Sequence, residues 1–191
     1  MILEVLFRLS HVKVLRVIIR QIQYMVKSGS HAGAWLAADL AELVARDLTR
    51  LTQEIAAFPD DAALWTAAPG VTNTAGNLVL HLEGNLREYI GRQLGGVAYT
   101  RDRRQEFSQT GFMREEMLGR VETLGRSIPG VIRRLTDADL SRAVPEMVFG
   151  RELSTAQFLV HLHGHFNYHL GQIDCLRRIL TQGGRVNFVE L

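Results

Sequence analysis

The chain has 191 residues, of which 47% are hydrophobic and 22% charged, and its formal net charge is +2. This length and composition indicate one soluble globular domain and exclude disordered, collagen-like and low-complexity proteins. The single cysteine, Cys175, excludes a disulfide framework and a thiolate zinc cluster, so any metal site would need histidine or carboxylate ligands.

The positive charge is concentrated in the first residues of the chain. Residues 1–24 contain four basic residues and one acidic residue, whereas the rest of the chain contains 18 basic and 19 acidic residues. The main body therefore lacks the bulk positive charge typical of nucleic-acid binding, and we expect no nucleic-acid partner. Within residues 2–26 the bases Lys13, Arg16 and Arg20 recur at helical spacing, which predicts an additional N-terminal amphipathic helix.

This N-terminal helix has three interpretations. It contacts a membrane surface or a partner, it packs onto the domain, or it is a non-native extension ahead of a start at Met25. Its charges interrupt the run of about 20 apolar residues that a transmembrane helix needs, and it lacks a clean secretory signal. We therefore favour the second and third interpretations, expect no membrane association, and expect a cytoplasmic protein because the chain has one cysteine.

Four long helical patterns follow a small polar linker at residues 27–33. Their apolar residues recur at helical spacing, and Ser, Thr or Asn residues that favour helix N-termini precede the second and fourth. Helices A to D are predicted over about Trp35–Phe58, Asn73 or Thr74 to Leu94, Phe112–Leu135, and Ser154 or Thr155 to Leu180. Four helices of this length predict an all-α four-helix bundle.

The connections between these helices suggest the topology. The predicted polar loop at residues 97–111 is long enough to cross the bundle, so helices B and C can run parallel in an up-down-down-up order. A second long connection is predicted at residues 136–153, and Pro129 should kink helix C or separate its last turn. We expect an extension and linker at residues 1–35, the bundle at 36–182 and a tail at 183–191.

Histidines are concentrated on helix D, where four of the seven lie at positions 161, 163, 165 and 169. On a helical wheel His169 lies near the centre of the apolar face, and His165 lies one turn earlier on the same side. Imidazoles at positions i and i+4 are spaced to chelate a metal, although a core histidine is more often only hydrogen-bonded. His161 and His163 lie at the two borders of this face, and we do not expect them to be ligands.

His81 is the remaining histidine of the main body. It lies with Asn85 and Glu88 in a polar stripe at the edge of the apolar face of helix B. This stripe is either a solvated flank or one wall of a cavity between helices B and D. In the second case His81 completes a three-histidine site with His165 and His169, and such a site with one open position is typical of catalytic zinc, nickel or iron.

Two motifs of this chain resemble the DinB-like superfamily of metal-binding four-helix bundles: Leu80-His81-Leu82-Glu83 on helix B and His161-x3-His165-x3-His169-Leu170-Gly171-Gln172-Ile173 on helix D. The resemblance covers about residues 36–182. It implies an up-down-down-up bundle, often homodimeric, and a divalent metal, zinc or nickel, bound by His81, His165 and His169. Some members of this superfamily transfer low-molecular-weight bacterial thiols to electrophiles, others isomerise a thiol adduct, and many have no known activity.

The leading functional hypothesis is a metal-dependent enzyme that transfers a small-molecule thiol to an electrophile. Gln172 would orient a ligand imidazole, and Glu83 and Asn85 stand where a general base or a supporting contact is possible. The cluster Arg101–Arg104 either meets a carboxylate-bearing thiol or, as we favour, is an exposed loop. Cys175 is expected to be a small packing residue that does not reach the metal.

The alternative hypothesis is a non-catalytic metal-binding bundle of the stress-response type. In that protein the histidines hold a structural metal, and Glu88 or another side chain closes the coordination sphere. The number of open coordination positions therefore distinguishes the two hypotheses.

Overall fold

The computed structural model describes residues 32–147 and 150–187, so the predicted N-terminal helix lies outside the described residues. A π-helical segment, Leu86–Arg92, directly continues the third helix. The α-helices of the described residues are α1 (Ala32–Ala56), α2 (Asp61–Leu64), α3 (Ala75–Asn85), α4 (Arg103–Ser108), α5 (Arg114–Arg133), α6 (Asp137–Ser141) and α7 (Thr155–Thr181).

The predicted all-α class is confirmed. Helices A to D correspond to α1, α3 with its π-helical continuation, α5 and α7, and an isolated bridge joins Ala143 to Ser154. The predicted starts of helices B and D are also confirmed by their caps. Thr74 accepts a hydrogen bond from the Asn77 backbone, and Ser154 forms a reciprocal capping box with Gln157.

Both long connections contain a short helix that the prediction had assigned to loops. The Asp102 side chain caps α4, and a capping box from Thr136 to Asp139 caps α6. Each short helix turns one side chain inward, Glu106 in α4 and Leu140 in α6. Local capping and one buried side chain thus suffice for helices too short to show an amphipathic period.

The last turn of α5 is not separated from the rest of the helix, which continues through Pro129 to Arg133. A proline inside a helix leaves the carbonyl four residues earlier without its usual donor. That residue is Gly125, which is exposed. Water can therefore satisfy the carbonyl, and the helix continues.

The four long helices pack around one apolar core. Helix α1 packs against α5 and α7, and α3 with its π-helical continuation packs against the same two helices. Asp47 and Glu54 of α1 contact His163 and Arg177 of α7 in the same chain order, which is compatible with the predicted up-down-down-up topology. The largest fully buried apolar side chains are Leu51, Ile55, Phe58, Leu64, Leu82, Ile90, Met117, Leu124, Ile132, Phe166 and Ile173.

Helix α3 is the central helix of the fold, because every one of its residues is buried. It packs against α4 as well as against α5 and α7, and α4 covers the side that a four-helix arrangement alone would expose. The polar stripe of His81 and Asn85 is therefore interior and not a solvated flank. None of the helices in the described residues is long and apolar enough to cross a membrane.

Candidate metal centre

The structure brings the three predicted ligands together. His81 comes from α3, and His165 and His169 come from adjacent turns of α7. One ligand atom from each residue lies within 4.8 Å of the others. The Nε2 atom of His165 lies 3.3 Å from Nε2 of His81 and 3.1 Å from Nε2 of His169. The three Nε2 atoms thus converge on one place between the two helices.

The outer nitrogens of two of these imidazoles have hydrogen-bond acceptors. Nδ1 of His81 lies 2.8 Å from a carboxylate oxygen of Glu106, and Nδ1 of His169 lies 2.7 Å from Oε1 of Gln172. Since both oxygens accept hydrogen bonds, each Nδ1 carries the proton and each Nε2 keeps a lone pair. Nδ2 of Asn85 lies 3.0 Å from Nε2 of His81, which fits an unprotonated nitrogen there.

The electrostatics keep the imidazoles of α7 neutral. Burial, together with the neighbouring His169 and His81, lowers the pKa of His165 to about 4. Burial also lowers the pKa of His169, although its hydrogen bond to Gln172 acts in the opposite direction. The Nε2 atoms of His81 and His169 therefore direct lone pairs toward Nε2 of a neutral His165, an arrangement that a bound cation would stabilise.

The spacing of the nitrogens also fits a metal ion. With metal–nitrogen distances of about 2.0–2.1 Å, two ligands of a tetrahedral ion lie about 3.3–3.4 Å apart. The two measured separations, 3.3 and 3.1 Å, are close to this value. The donor set, the protonation state and the spacing therefore all suit a zinc-like or nickel-like ion.

Glu106 and Arg101 form a charged pair behind His81 that the sequence analysis did not identify as part of the site. Nε and Nη2 of Arg101 lie 2.6 and 2.8 Å from the two carboxylate oxygens of Glu106. Burial raises the pKa of Glu106, but the hydrogen bonds from Arg101 and His81 outweigh it and hold the pKa below its usual value. Glu106 is therefore a buried carboxylate anion at neutral pH.

This pair corrects the expectation of an exposed arginine loop at Arg101, whereas Arg103 and Arg104 are exposed as expected. Arg101 is mostly buried, with a side chain that is 12% exposed, and it is engaged with Glu106. The sequence signal that could have predicted α4 is Asp102 followed three residues later by Gln105, a spacing typical of a helix N-terminus. A helix starting there directs Glu106 inward.

The remaining polar residues near the motifs divide into two groups. Gln172 contacts the outer nitrogen of His169 as expected, and Asn85 makes a supporting contact to Nε2 of His81. Glu83 instead pairs with Arg87 and Arg120, 2.8 and 3.0 Å away, so its structure does not favour a role as a general base.

Three further residues lie outside the candidate site. Glu88 binds Arg92 and Gln93, so it does not close the coordination sphere. His163 contacts Asp47 and not the other histidines, as its wheel position predicted. Cys175 is exposed, so the expectation that it packs inside the domain is wrong, and it is not part of the histidine group. It lies on the outer, exposed side of α7.

Comparisons with known proteins agree with this fold. A family model described as a protein of unknown function, DUF1572, matches residues 31–186. A search of the curated proteins found no match. The crystal structure of a DinB-like protein from Bacillus cereus is similar with a TM-score of 0.55 and 19% identity, covering 71% of this chain and 86% of that chain. The chain therefore belongs to the DUF1572 family and has the fold of the DinB-like superfamily.

Proposed function

We propose that the protein binds one divalent metal ion, zinc or nickel, through His81, His165 and His169 and transfers a low-molecular-weight thiol to an electrophilic substrate. The observation that carries the proposal is the convergence of the three Nε2 atoms, two pairs of which lie 3.3 and 3.1 Å apart. The DinB-like fold and its implied chemistry support the choice of substrate.

The three-residue ligand group favours an enzyme over a closed structural site. Among the described residues, the group of histidine, cysteine and acidic side chains that could hold a metal contains three members. Structural zinc sites use four protein ligands, whereas catalytic sites use three and keep one position for water or substrate. The fourth position is therefore available to a thiol.

The protein would supply imidazole ligands to the ion, and the carboxylate of Glu106 contacts one of them, His81, from its outer side. Because the imidazoles of His165 and His169 are neutral, they leave the charge of a divalent ion uncompensated and favour an anionic further ligand. A divalent ion there would lower the pKa of a thiol, which is ordinarily about 8.5, and so maintain the thiolate at neutral pH. In the transfer, the thiolate sulfur bonds to the electrophilic carbon, whose leaving group departs with the bonding electron pair, and the thiol proton passes to solvent.

The second candidate is a non-catalytic metal-binding bundle of the stress-response type. The same three histidines support it, because metal binding alone requires no thiol. A screen of thiols against a generic electrophile separates the candidates: thiol consumption that depends on the metal supports the enzyme. Metal binding without such consumption would contradict thiol transfer and favour the second candidate.

Elemental analysis of the purified protein tests the metal site itself. Protein produced with zinc and nickel available should contain one equivalent of metal, and the variant His169→Ala should contain none. The matched control is His161→Ala, which removes a histidine of the same helix that lies outside the ligand group. Absence of metal from the wild-type protein would contradict both functional candidates.

We also propose that two copies associate through the outer face of α7. Val160, Tyr168 and Ile179 are 52%, 63% and 55% exposed, and glycines and Cys175 occupy the turns between them. A surface helix ordinarily carries charged side chains outward, as α5 does with Glu122. This stripe carries one exposed charge, Arg178, at its C-terminal end, and its otherwise uncharged residues suit a two-fold interface in which the same face meets itself.

Light scattering measures this association directly. Wild-type protein should have the mass of a dimer, whereas Ile179→Glu should have the mass of a monomer because it buries a charge in the proposed interface. Thr123→Glu on the exposed face of α5 is the control and should stay dimeric. A monomeric wild-type protein would contradict the proposal.

A further inference from the structure

We infer that Glu106, held by Arg101 and accommodated by the missing side chain of Gly84, is the positioning residue that orients His81 for metal binding. The inference rests on the proposed metal site, because it assigns a role toward the same ion. Glu106 has no place in the sequence motifs that indicated the histidines, and it lies on a different helix.

The contacts of Glu106 constrain the imidazole of His81 from its outer side. Oε2 of Glu106 lies 2.8 Å from Nδ1 of His81, and both side chains are buried, with exposures of 6% and 7%. A carboxylate that accepts a hydrogen bond from the Nδ1–H group fixes the tautomer in which Nε2 has the lone pair. It also fixes the rotation of the ring, so that Nε2 faces His165 and His169.

Arg101 in turn fixes the carboxylate. Its guanidinium contacts both oxygens of Glu106, at 2.6 and 2.8 Å, in the two-point geometry that a lysine does not provide. A buried carboxylate with a single imidazole partner would be costly, whereas one with an arginine partner keeps its charge. The chain of contacts therefore runs from Arg101 through Glu106 to His81.

The backbone of α4 is attached to α3 at the same place. Nδ2 of Asn77 lies 3.1 Å from the backbone oxygen of Glu106 and 2.9 Å from that of Gln109, and it donates to both. The ring of Phe107 lies 4.8 Å from the ring of His81. These contacts hold the short helix against the helix that carries the first ligand.

Gly84 makes the space that Glu106 occupies. A Cβ atom at position 84 would lie 2.1 Å from Oε1 and 2.7 Å from the carboxyl carbon of Glu106. Any side chain there would displace the carboxylate, and the nearest atoms that its Cβ would meet belong to Glu106 and Arg101. A glycine in the middle of a buried helix lowers helix stability, and the close approach of Glu106 accounts for it.

The two sides of the site differ in the strength of their outer contacts. His169 has a neutral acceptor, Oε1 of Gln172, whereas His81 has a charged acceptor. A charged acceptor makes the stronger hydrogen bond and raises the basicity of the ligand nitrogen more. Glu106 should therefore contribute more to metal affinity than Gln172 does.

Competition with a chromophoric chelator for zinc measures this contribution. Glu106→Ala should bind zinc about 10- to 100-fold more weakly than the wild-type protein, the usual range for loss of such a contact. Glu106→Gln keeps an acceptor oxygen and should lose less. The matched control is Glu116→Gln, which alters a carboxylate that also pairs with an arginine, Arg120, but is 44% exposed.

A steric variant tests the same contact without removing a polar group. Gly84→Ala should weaken zinc binding by a similar factor, and the double variant with Glu106→Ala should be no weaker than the weaker single variant. Gly119→Ala on α5 is the control, because a Cβ there meets nothing within 4 Å. Independent, multiplicative losses in the double variant would contradict the proposed steric link.

Two readouts separate positioning from a merely structural role. The visible absorption spectrum of the cobalt-substituted protein should change in Glu106→Ala, and the zinc dissociation constant should rise even where circular dichroism shows folded protein. Wild-type zinc affinity and an unchanged cobalt spectrum in folded Glu106→Ala would overturn the inference. Failure of the wild-type protein to bind zinc would instead contradict the proposed function.

Discussion

Two histidine–carboxylate pairs with buried carboxylates have similar chemistry and different surroundings. One joins His81 of α3 to Glu106 of α4, and the other joins His163 of α7 to Asp47 of α1, with Nε2 of His163 lying 3.0 Å from the carboxylate. Each carboxylate also contacts arginine, Arg101 at Glu106 and Arg46 at Asp47.

The two pairs differ in which imidazole nitrogen forms the hydrogen bond to the carboxylate. Glu106 accepts from Nδ1 of His81 and leaves Nε2 directed toward two further histidines. Oδ2 of Asp47 instead forms a hydrogen bond with Nε2 of His163, and Nδ2 of Asn167 lies 2.7 Å from the same Oδ2 atom. In the proposed metal site the first pair therefore orients a ligand nitrogen, whereas the second connects α1 to α7.

The largest expected effect is the loss of metal when a ligand is removed. His169→Ala should lose the whole equivalent of bound metal, because two histidines remain and structural or catalytic sites need at least three protein ligands. His163→Ala should keep it, since its imidazole faces Asp47. Elemental analysis of both variants checks the contrast, and equal metal loss in both would contradict the division between the pairs.

Asp47→Ala should have the next largest effect, on stability. The Asp47 side chain is fully buried and accepts hydrogen bonds from Arg46, Arg50 and Asn167. Loss of charged hydrogen bonds of this kind costs about 2–3 kcal/mol in the free energy of unfolding. Urea denaturation measures it, and the metal content should stay at one equivalent. Unchanged stability would show that the pair does not hold α1 against α7.

Gln172→Ala should weaken metal binding by about tenfold, at the lower end of the range for such contacts. The reason is that Nδ1 of His169 would lose its acceptor, which lies 2.7 Å away. Chelator competition compares this loss with that of Glu106→Ala. A larger loss in Gln172→Ala would reverse the proposed order of the two outer contacts.

The stability of the metal-free protein should depend on pH in two separate pH ranges, or windows. The folded-state pKa values of His165, about 4, and of His169 lie below the unfolded value of 6.5, so the unfolded chain binds more protons between those values. Stability should therefore fall as the pH decreases from 6.5 toward about 4. The effect should be modest, because both imidazoles are half-buried and water screens them.

The second window belongs to Asp47. Burial raises the pKa of Asp47, but hydrogen bonds from Arg46 and Asn167 outweigh it and place the pKa below the ordinary 3.8. Its contribution is present above pH 3.8 and is lost as the pH falls through the lower folded-state value. Thermal melts of Asp47→Ala should show the first window unchanged. Disappearance of that window in Asp47→Ala would contradict its assignment to His165 and His169.

The sequence was sufficient to predict the four long helices and the histidine cluster. Their signals are strong because each long helix repeats its apolar face over several turns, and because His165 and His169 lie four residues apart on one face. His81 remained ambiguous, since an edge position on a helix wheel fits a solvated flank and a cavity wall equally well. The packing of α4 against α3 decided between them.

The burial of Glu106 and the exposure of Cys175 could not be predicted from local sequence patterns. Helix α4 has six residues, too few for a hydrophobic period, so the inward direction of Glu106 depends on tertiary packing. Cys175 lies on the outer face of α7, and a lone small residue on a helix wheel does not itself indicate whether another element covers it. Both residues needed the position of one helix relative to another.

X-ray absorption spectroscopy of the zinc-loaded protein tests the central claim most directly, because it counts the imidazoles bound to the ion. The account predicts three nitrogen ligands from imidazole at about 2.0–2.1 Å and one further ligand that is not a protein side chain. Two or fewer imidazoles at zinc, or four protein ligands, would contradict the three-histidine site with an open position.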